Sequence, residues 1–326
     1  MYETILNFPK QFKKGLAAVN HLKISQSPQN IIICGMGGSA IPALLLKTCF
    51  PFFKTPLYLH RNYHLPPQAN KKSLIIAISY SGNTEETISA FETSLKKGIT
   101  PTVITTGGKL AELARKKSVP LVLLPDEKIQ PRSAAGLMFA ALAKILCNAG
   151  IINKTELEKI AKLEKTLKPK EFENKSRRLA KNLKGKIPLI YSSDKFKAVA
   201  RVWKINFNEN SKIPAFWNYF PELNHNEMNG FENARTQLPT TKFAIIILED
   251  KQDHPRILKR MQLTAEMLRG GNLTVDFIKI KGKNELEKTF NTLLFGELTA
   301  YYLAKEQKIN PEPVKMVEEL KKKLER

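Results

Sequence analysis

The sequence predicts an α/β fold made of two doubly wound parallel-sheet subdomains. Three observations predict it. Short, continuous apolar runs recur, helix-length segments separate them, and the alternation restarts after a lysine- and glutamate-rich stretch. Continuous apolar runs suit strands covered on both faces, and strand–helix alternation suits a parallel sheet. At about 100–200 residues per domain, the 326 residues accommodate two.

In the first half the expected strands are Ile31–Cys34, Leu57–His60, Leu74–Ser79, Pro101–Thr105 and Pro120–Leu124. Helices are expected at Ser39–Phe50, Thr84–Lys97, Lys109–Lys117 and Ser133–Asn148, with Gly150 closing the last. Lys154–Lys184 keeps helical spacing through Leu157, Ile160, Leu163 and Leu167 and leads into the second half. Subdomains of residues 1–152 and 153–326 follow. In the second half the expected strands are Ile187–Tyr191, Phe243–Leu248 and Thr274–Ile280. Helices are expected at Phe196–Glu209, Pro255–Arg269, Glu285–Lys305 and Pro311–Glu325. Ser211–Arg235, rich in Pro, Asn and aromatic residues, shows no period and reads as a long loop, a kind of segment that often carries function.

The balance of 53 Lys and Arg against 30 Asp and Glu gives a formal net charge of +23. The basic residues come as scattered pairs such as Lys13-Lys14 and Lys96-Lys97, so they read as a solvated surface that attracts anionic substrates. A nucleic-acid-binding stripe is not expected. No apolar run approaches about 18 residues, and the N-terminus has no basic start with an apolar core, so neither membrane span nor signal peptide is expected. Cys34, Cys49 and Cys147 are odd in number and lack metal-ligand spacing, which points to a reducing cytoplasm and to no metal.

Two strand-to-helix turns carry the chemistry. In Cys34-Gly35-Met36-Gly37-Gly38-Ser39-Ala40, glycines allow close backbone approach and the helix start offers free N–H groups to an anion. A plain tight turn would look similar. Gly35-x-Gly37-x-x-Ala40 also fits a dinucleotide fingerprint, which wants an acidic residue about 20 positions on. That place reads His60-Arg61-Asn62, which weakens an NAD reading and leaves an NADP variant open. The second turn, Ser79-Tyr80-Ser81-Gly82-Asn83-Thr84, gathers hydroxyls and a glycine at a helix start, as a metal-free phosphate cradle does. Helix capping by Thr84 is the alternative. Arg132, after the fifth expected strand, either faces the ligand crevice or sits on the surface. Glu209, ending a helix, and His225, sixteen positions on, could be a general base and acid.

The two turns resemble the sugar isomerase (SIS) domain, which binds phosphosugars. Phe207-Asn208-Glu209-Asn210, Pro221-Glu222 and His225-Asn226 narrow the likeness to the bifunctional phosphoglucose/phosphomannose isomerase family. The resemblance runs from about Ile31 to the C-terminal helix and implies two SIS subdomains per chain and a homodimer. It implies a metal- and cofactor-independent isomerase of hexose 6-phosphates, interconverting glucose 6-phosphate and fructose 6-phosphate; a non-catalytic phosphosugar-binding protein is the alternative. The phosphate site would fall on Ser39, Ser79, Ser81 and Thr84, with Gly37 and Gly38 along the sugar. Arg132 matches the residue that stabilises an enediolate, Glu209 the base, His225 the ring-opening residue lent by the neighbouring subunit, and Lys321 a lysine that assists ring opening. Members that use the mannose epimer carry Thr-Pro shortly before the last helix. Here Asn310-Pro311-Glu312-Pro313-Val314-Lys315 puts Val314, which has no hydroxyl, in the threonine's place, so a preference for glucose over mannose is expected.

Overall fold

The computed structural model describes residues 1–326 apart from 20, 21, 23, 25–27, 233–241 and 325–326. Two helices not anticipated from the sequence open the chain, α1 (Tyr2–Asn7) and α2 (Lys10–Ala18). They are followed by β1 (Asn30–Cys34), α3 (Gly37–Cys49), β2 (Leu57–His60), β3 (Ser73–Ile78) and α4 (Glu85–Lys96). Next come β4 (Thr102–Thr105), α5 (Gly108–Lys116), β5 (Leu121–Leu123), α6 (Ala135–Asn148) and α7 (Lys154–Thr166). The apolar runs of the first half therefore form the strands their composition demands. All of Asn30–Cys34 is buried, because helices cover both faces of a parallel sheet.

Contacts divide the chain into two compact units, Leu6–Lys168 and Pro169–Arg326 with Met1–Ile5. The division falls later than the 152/153 boundary expected from the sequence, because α7 packs on α2 and α6 and buries Ile160 and Leu163 there. The first unit holds one five-stranded parallel sheet of order β2-β1-β3-β4-β5. Ala77, Phe91, Val103, Leu110 and Ala114 form one part of its core, and Ile32, Ile75, Ala90 and Ile99 another.

The other unit contains α8 (Glu173–Leu183), β6 (Ile187–Ser193), α9 (Lys197–Asn206), β7 (Phe216–Phe220) and β8 (Phe243–Glu249). It continues with α10 (Pro255–Gly270), β9 (Thr274–Lys279), α11 (Glu285–Glu306) and α12 (Lys315–Leu324). Its parallel sheet has four strands in the order β7-β6-β8-β9. The edge strand β7 lies inside Ser211–Arg235, the stretch expected to be a loop; residues 233–235 of that stretch fall outside the described residues. The expected helix Phe196–Glu209 stops at Asn206 and passes into a wider π turn, Phe207–Ser211. The last helix starts at Lys315 rather than Pro311, and Glu325 of the expected span lies outside the described residues. Residues 1–5 belong here through Tyr2, whose ring stacks on Tyr301 and whose hydroxyl bonds Glu173.

Both sheets place their first strand between the second and third. The chain passes from β1 to β2 on one side and then to β3 on the other, and from β6 to β7 and then β8 in the same way. The carboxyl ends of β1 and β3 and of β6 and β8 are therefore the points where the strand order reverses, where open α/β sheets place their ligands. In the second unit that end carries an ion-pair cluster. Lys288 Nζ donates to Asp250 Oδ2 at 2.7 Å and to Gln252 Oε1 at 2.6 Å. Lys195 Nζ reaches Asp250 Oδ2 at 3.1 Å and Glu285 Oε1 at 3.0 Å.

Candidate active site

The reversal point of the first unit lies between the turns after β1 and β3, the two that the sequence singles out. Gly37 begins α3 with φ of +49°, in the left-handed region, and nothing lies within 4 Å of where its Cβ would be. Gly38 is the opposite case: a Cβ there would stand 2.4 Å from the backbone nitrogen of Arg132. The missing side chain lets α3 and the Pro131–Ala134 turn touch backbone to backbone. Ser39 is buried, and its Oγ accepts the Tyr80 N–H at 3.0 Å, tying the first turn to the second.

In the second turn the hydroxyls serve each other rather than the helix. Ser79 Oγ lies 2.9 Å from Thr84 Oγ1 and accepts the Gly82 N–H at 3.1 Å. Ser81 is exposed, and its Oγ accepts the Asn83 N–H at 3.3 Å. Thr84 occupies the N-cap position of α4 without a side-chain capping bond, so the capping alternative fails. Thr84 therefore does not claim the first N–H groups of α4, an arrangement that suits an anion.

A third turn, after β4, was not anticipated. Thr106 Oγ1 donates to Tyr80 O at 2.6 Å, and Lys109 N–H to Asn83 Oδ1 at 3.0 Å. A Cβ on Gly82, whose φ is +73°, would fall 1.8 Å from Gly107 O. Only glycine lets the two turns meet. Burial raises Tyr80 to about 12, so its phenol stays neutral at ordinary pH.

Arg132 is buried at 4% exposure, which excludes the surface reading of this arginine. Its turn is held by Gln11, which no sequence motif marks. Gln11 Nε2 donates to Ser133 O at 2.7 Å, and its Oε1 accepts the Leu137 N–H at 3.1 Å. The first unit thus brings together Gly37, Gly38, Ser39, Ser79, Ser81, Thr84 and Arg132.

Glu209, His225 and Lys321 belong to the other unit. Glu209 sits half-buried in the π turn, a departure from α geometry that recurs at functional sites. The turn is fastened on several sides. Ser211 Oγ donates to Ala300 O at 2.7 Å, and Asn208 Nδ2 to Ile213 O at 2.8 Å. Lys212, in the left-handed conformation with φ of 57°, ends the turn and bonds the Glu209 carbonyl through Nζ. His225 is exposed and ends the short 3₁₀ turn Glu222–His225. Glu222 is exposed and accepts Asn226 Nδ2 at 2.7 Å. Lys321 is exposed on α12, beside Lys322 and Lys323.

Among the described residues, no three or more His, Cys, Asp or Glu side chains are grouped so as to hold a metal ion. No helix among them is long and apolar enough to cross a membrane.

Comparison with known proteins covers both halves. Residues 23–146 match the SIS domain, and residues 172–324 match the bacterial phospho-glucose isomerase C-terminal SIS domain. A bifunctional phosphoglucose/phosphomannose isomerase of Caldicellulosiruptor bescii is 36% identical over 99% of this chain and 98% of its own. One from Aquifex aeolicus is 33% identical over 91% of each. Among solved structures, the C-terminal domain of glucosamine-fructose-6-phosphate aminotransferase from Francisella tularensis superposes with a TM-score of 0.71 at 13% identity, covering 96% of this chain and 97% of that one. Tagatose-6-phosphate ketose/aldose isomerase from Escherichia coli gives 0.69 at 16%, covering 95% and 93%. At those identities the structures speak for the fold alone.

Proposed function

Since the chain belongs to the bifunctional phosphoglucose/phosphomannose isomerase family, we propose that it interconverts glucose 6-phosphate and fructose 6-phosphate, and mannose 6-phosphate less well. The observation that carries this reading is the cradle after β3, where Ser79 and Thr84 bond each other and the Thr84 hydroxyl does not cap α4. A phosphate seated there is held by hydroxyls, N–H groups and the positive end of the helix dipole.

Ser39, Ser79, Ser81 and Thr84 hold the 6-phosphate, with Gly37 and Gly38 along the sugar. His225, assisted by Lys321, moves the proton between the ring oxygen and the C1 hydroxyl that opens the ring. Glu209 then takes the C2 proton of the aldose and returns it to C1. Negative charge grows on the enediolate oxygens, and the fixed guanidinium of Arg132 stabilises it there. The hydrogen moves within one substrate, so the chemistry calls for no redox cofactor. Binding energy from the remote phosphate offsets the cost of ordering the sugar for reaction.

The active form is a homodimer, with His225 lent to the neighbouring subunit. What supports a second copy is α12, which buries none of its residues and exposes Met316, Val317, Leu320 and Leu324. The three cysteines are unbridged, in keeping with a reducing cytoplasm. The deciding experiment mixes the protein with fructose 6-phosphate and EDTA, without nucleotide, and assays glucose 6-phosphate. Product formation is expected. Tight binding of fructose 6-phosphate without turnover would instead make the chain a phosphosugar-binding protein.

A further inference from the structure

The residue pair Tyr191 and Asn218 stands in register across the parallel strands β6 and β7. Both side chains end on one carboxylate, that of Glu227, two positions beyond His225. Tyr191, buried at 1% exposure, donates its hydroxyl to Glu227 Oε1 at 2.6 Å. Asn218 Nδ2 donates to Glu227 Oε2. The Asn218 amide is itself oriented, because its Oδ1 accepts the Tyr219 N–H at 2.8 Å. Burial foremost, and then the Glu227 charge, push the Tyr191 phenol up, so it remains a donor. The Glu227 N–H, in turn, is capped by Asn226 Oδ1 at 2.6 Å.

On the other side of His225, Asn224 Nδ2 donates to Thr264 Oγ1 on α10 at 2.8 Å, and Asn224 Oδ1 accepts Arg260 Nη1 at 3.4 Å. The exposed imidazole thus lies between two anchored neighbours, one fixed to a helix and one to the sheet. A carboxylate with a neutral donor on each oxygen is held in one orientation by two charge-assisted bonds. Nothing in the isomerisation chemistry requires a carboxylate so fully occupied, which leaves fixation of its own turn as its use.

We propose that Glu227 is the positioning residue for ring opening: clamped by Tyr191 and Asn218, it fixes the turn that presents His225. The inference rests on the reading of His225 as the ring-opening residue, and the test separates the two. Four proteins carry single changes or none: wild type, Glu227→Ala, Tyr191→Phe and His225→Ala. Two more combine each clamp change with His225→Ala. Turnover of fructose 6-phosphate is measured for all six, with melting temperatures.

Glu227→Ala is expected to lower kcat about 10²-fold, the scale of a misplaced reacting group. Tyr191→Phe, which deletes one oxygen, is expected to lower it roughly tenfold. The KM for fructose 6-phosphate should change little, because the phosphate turns lie in the other half of the chain. In the His225→Ala background neither clamp change should cost anything further. A loss of equal size in both backgrounds would mean that Glu227 only supports the fold, and would overturn the inference while sparing the role of His225. A Tyr191→Phe protein with wild-type kcat would overturn it as well. Full activity in His225→Ala would remove the ring-opening assignment and the inference together.

Discussion

Gly38 and the backbone of Arg132 touch: a Cβ at position 38 would lie 2.4 Å from the Arg132 nitrogen and 2.6 Å from the Pro131 carbonyl carbon. These are backbone atoms, so no side chain can swing aside. Gly38→Ala must push the Arg132 turn away from α3. We expect kcat/KM to fall about 10²-fold through that displacement. Stability should fall by about 1–3 kcal/mol, as for other overpacked sites. Steady-state rates and chemical denaturation measure the two losses. A Gly38→Ala protein with unchanged rates would dissociate Arg132 from the chemistry.

The phosphate cradle is tested by replacing Ser81 and Thr84 together with alanine. Neither hydroxyl caps α4, so the helix should persist while 6-phosphate ligands bind more weakly. Each hydrogen bond to the charged phosphate contributes about 1.5–3 kcal/mol. Titration calorimetry with a 6-phosphate sugar reads the difference, and equal affinity in wild type and double mutant would remove the cradle from the binding site.

Glu209→Gln keeps the shape of the side chain and removes its basic charge. The rate should drop by the roughly 10²–10⁴-fold typical of losing a general base. Wild type should exchange the C2 hydrogen of glucose 6-phosphate with deuterated solvent, and the mutant should not. Near-normal turnover would move the role elsewhere, with Glu222 next in line.

Val314 sits at the entrance to α12, where its carbonyl accepts the N–H groups of Val317 at 2.9 Å and Glu318 at 3.1 Å. It has no hydroxyl to offer a water or a sugar oxygen. A higher kcat/KM for glucose 6-phosphate than for mannose 6-phosphate is expected, narrowed by Val314→Thr. Equal use of both epimers by wild type would show that the hydroxyl is dispensable here.

The Lys288–Asp250 pair makes a stability prediction. Burial alone pushes Asp250 up, but the bonds from Lys288, the Gln252 N–H and Lys195 outweigh it and hold the carboxyl below its ordinary value. A depressed carboxylate contributes stability above its unfolded pKa, about 3.9, and the contribution is lost as pH falls through the lower folded value. Lys288→Met should destabilise at neutral pH, by less than the roughly 3–5 kcal/mol of a wholly broken buried pair, because Lys195 still faces Asp250. The gap between mutant and wild type should close on acidification below about pH 4. A gap independent of pH would mean that packing, not charge, causes the loss.

Most of the fold is legible in the chain because the central strands β1, β3, β4, β6 and β8 are buried almost throughout and so are written as largely apolar runs. β7 is not. Phe216-Trp217-Asn218-Tyr219-Phe220 lies at a sheet edge, is bounded by Pro214 and Pro221, and mixes bulky rings with an amide. The turns after β1 and β3 stand out because they concentrate glycine and hydroxyls. Their supports do not, because support arises only on folding. Gln11 meets Ser133 across 122 positions, and Glu227 meets Tyr191 across 36. No local pattern marks such partners in advance.

The grouping of Met1–Ile5 with Pro169–Arg326 bears on how the protein can be cut apart. A fragment starting at Pro169 would carry Tyr301 and Glu173 without the Tyr2 ring and hydroxyl that meet them. Expressed alone, such a half begins life with an open seam on its surface. Leu6–Lys168 is continuous and can be excised with a single stretch of gene. The second half is better made as a chimera, with residues 1–5 spliced in front of Pro169 through a linker, or supplied as a separate peptide.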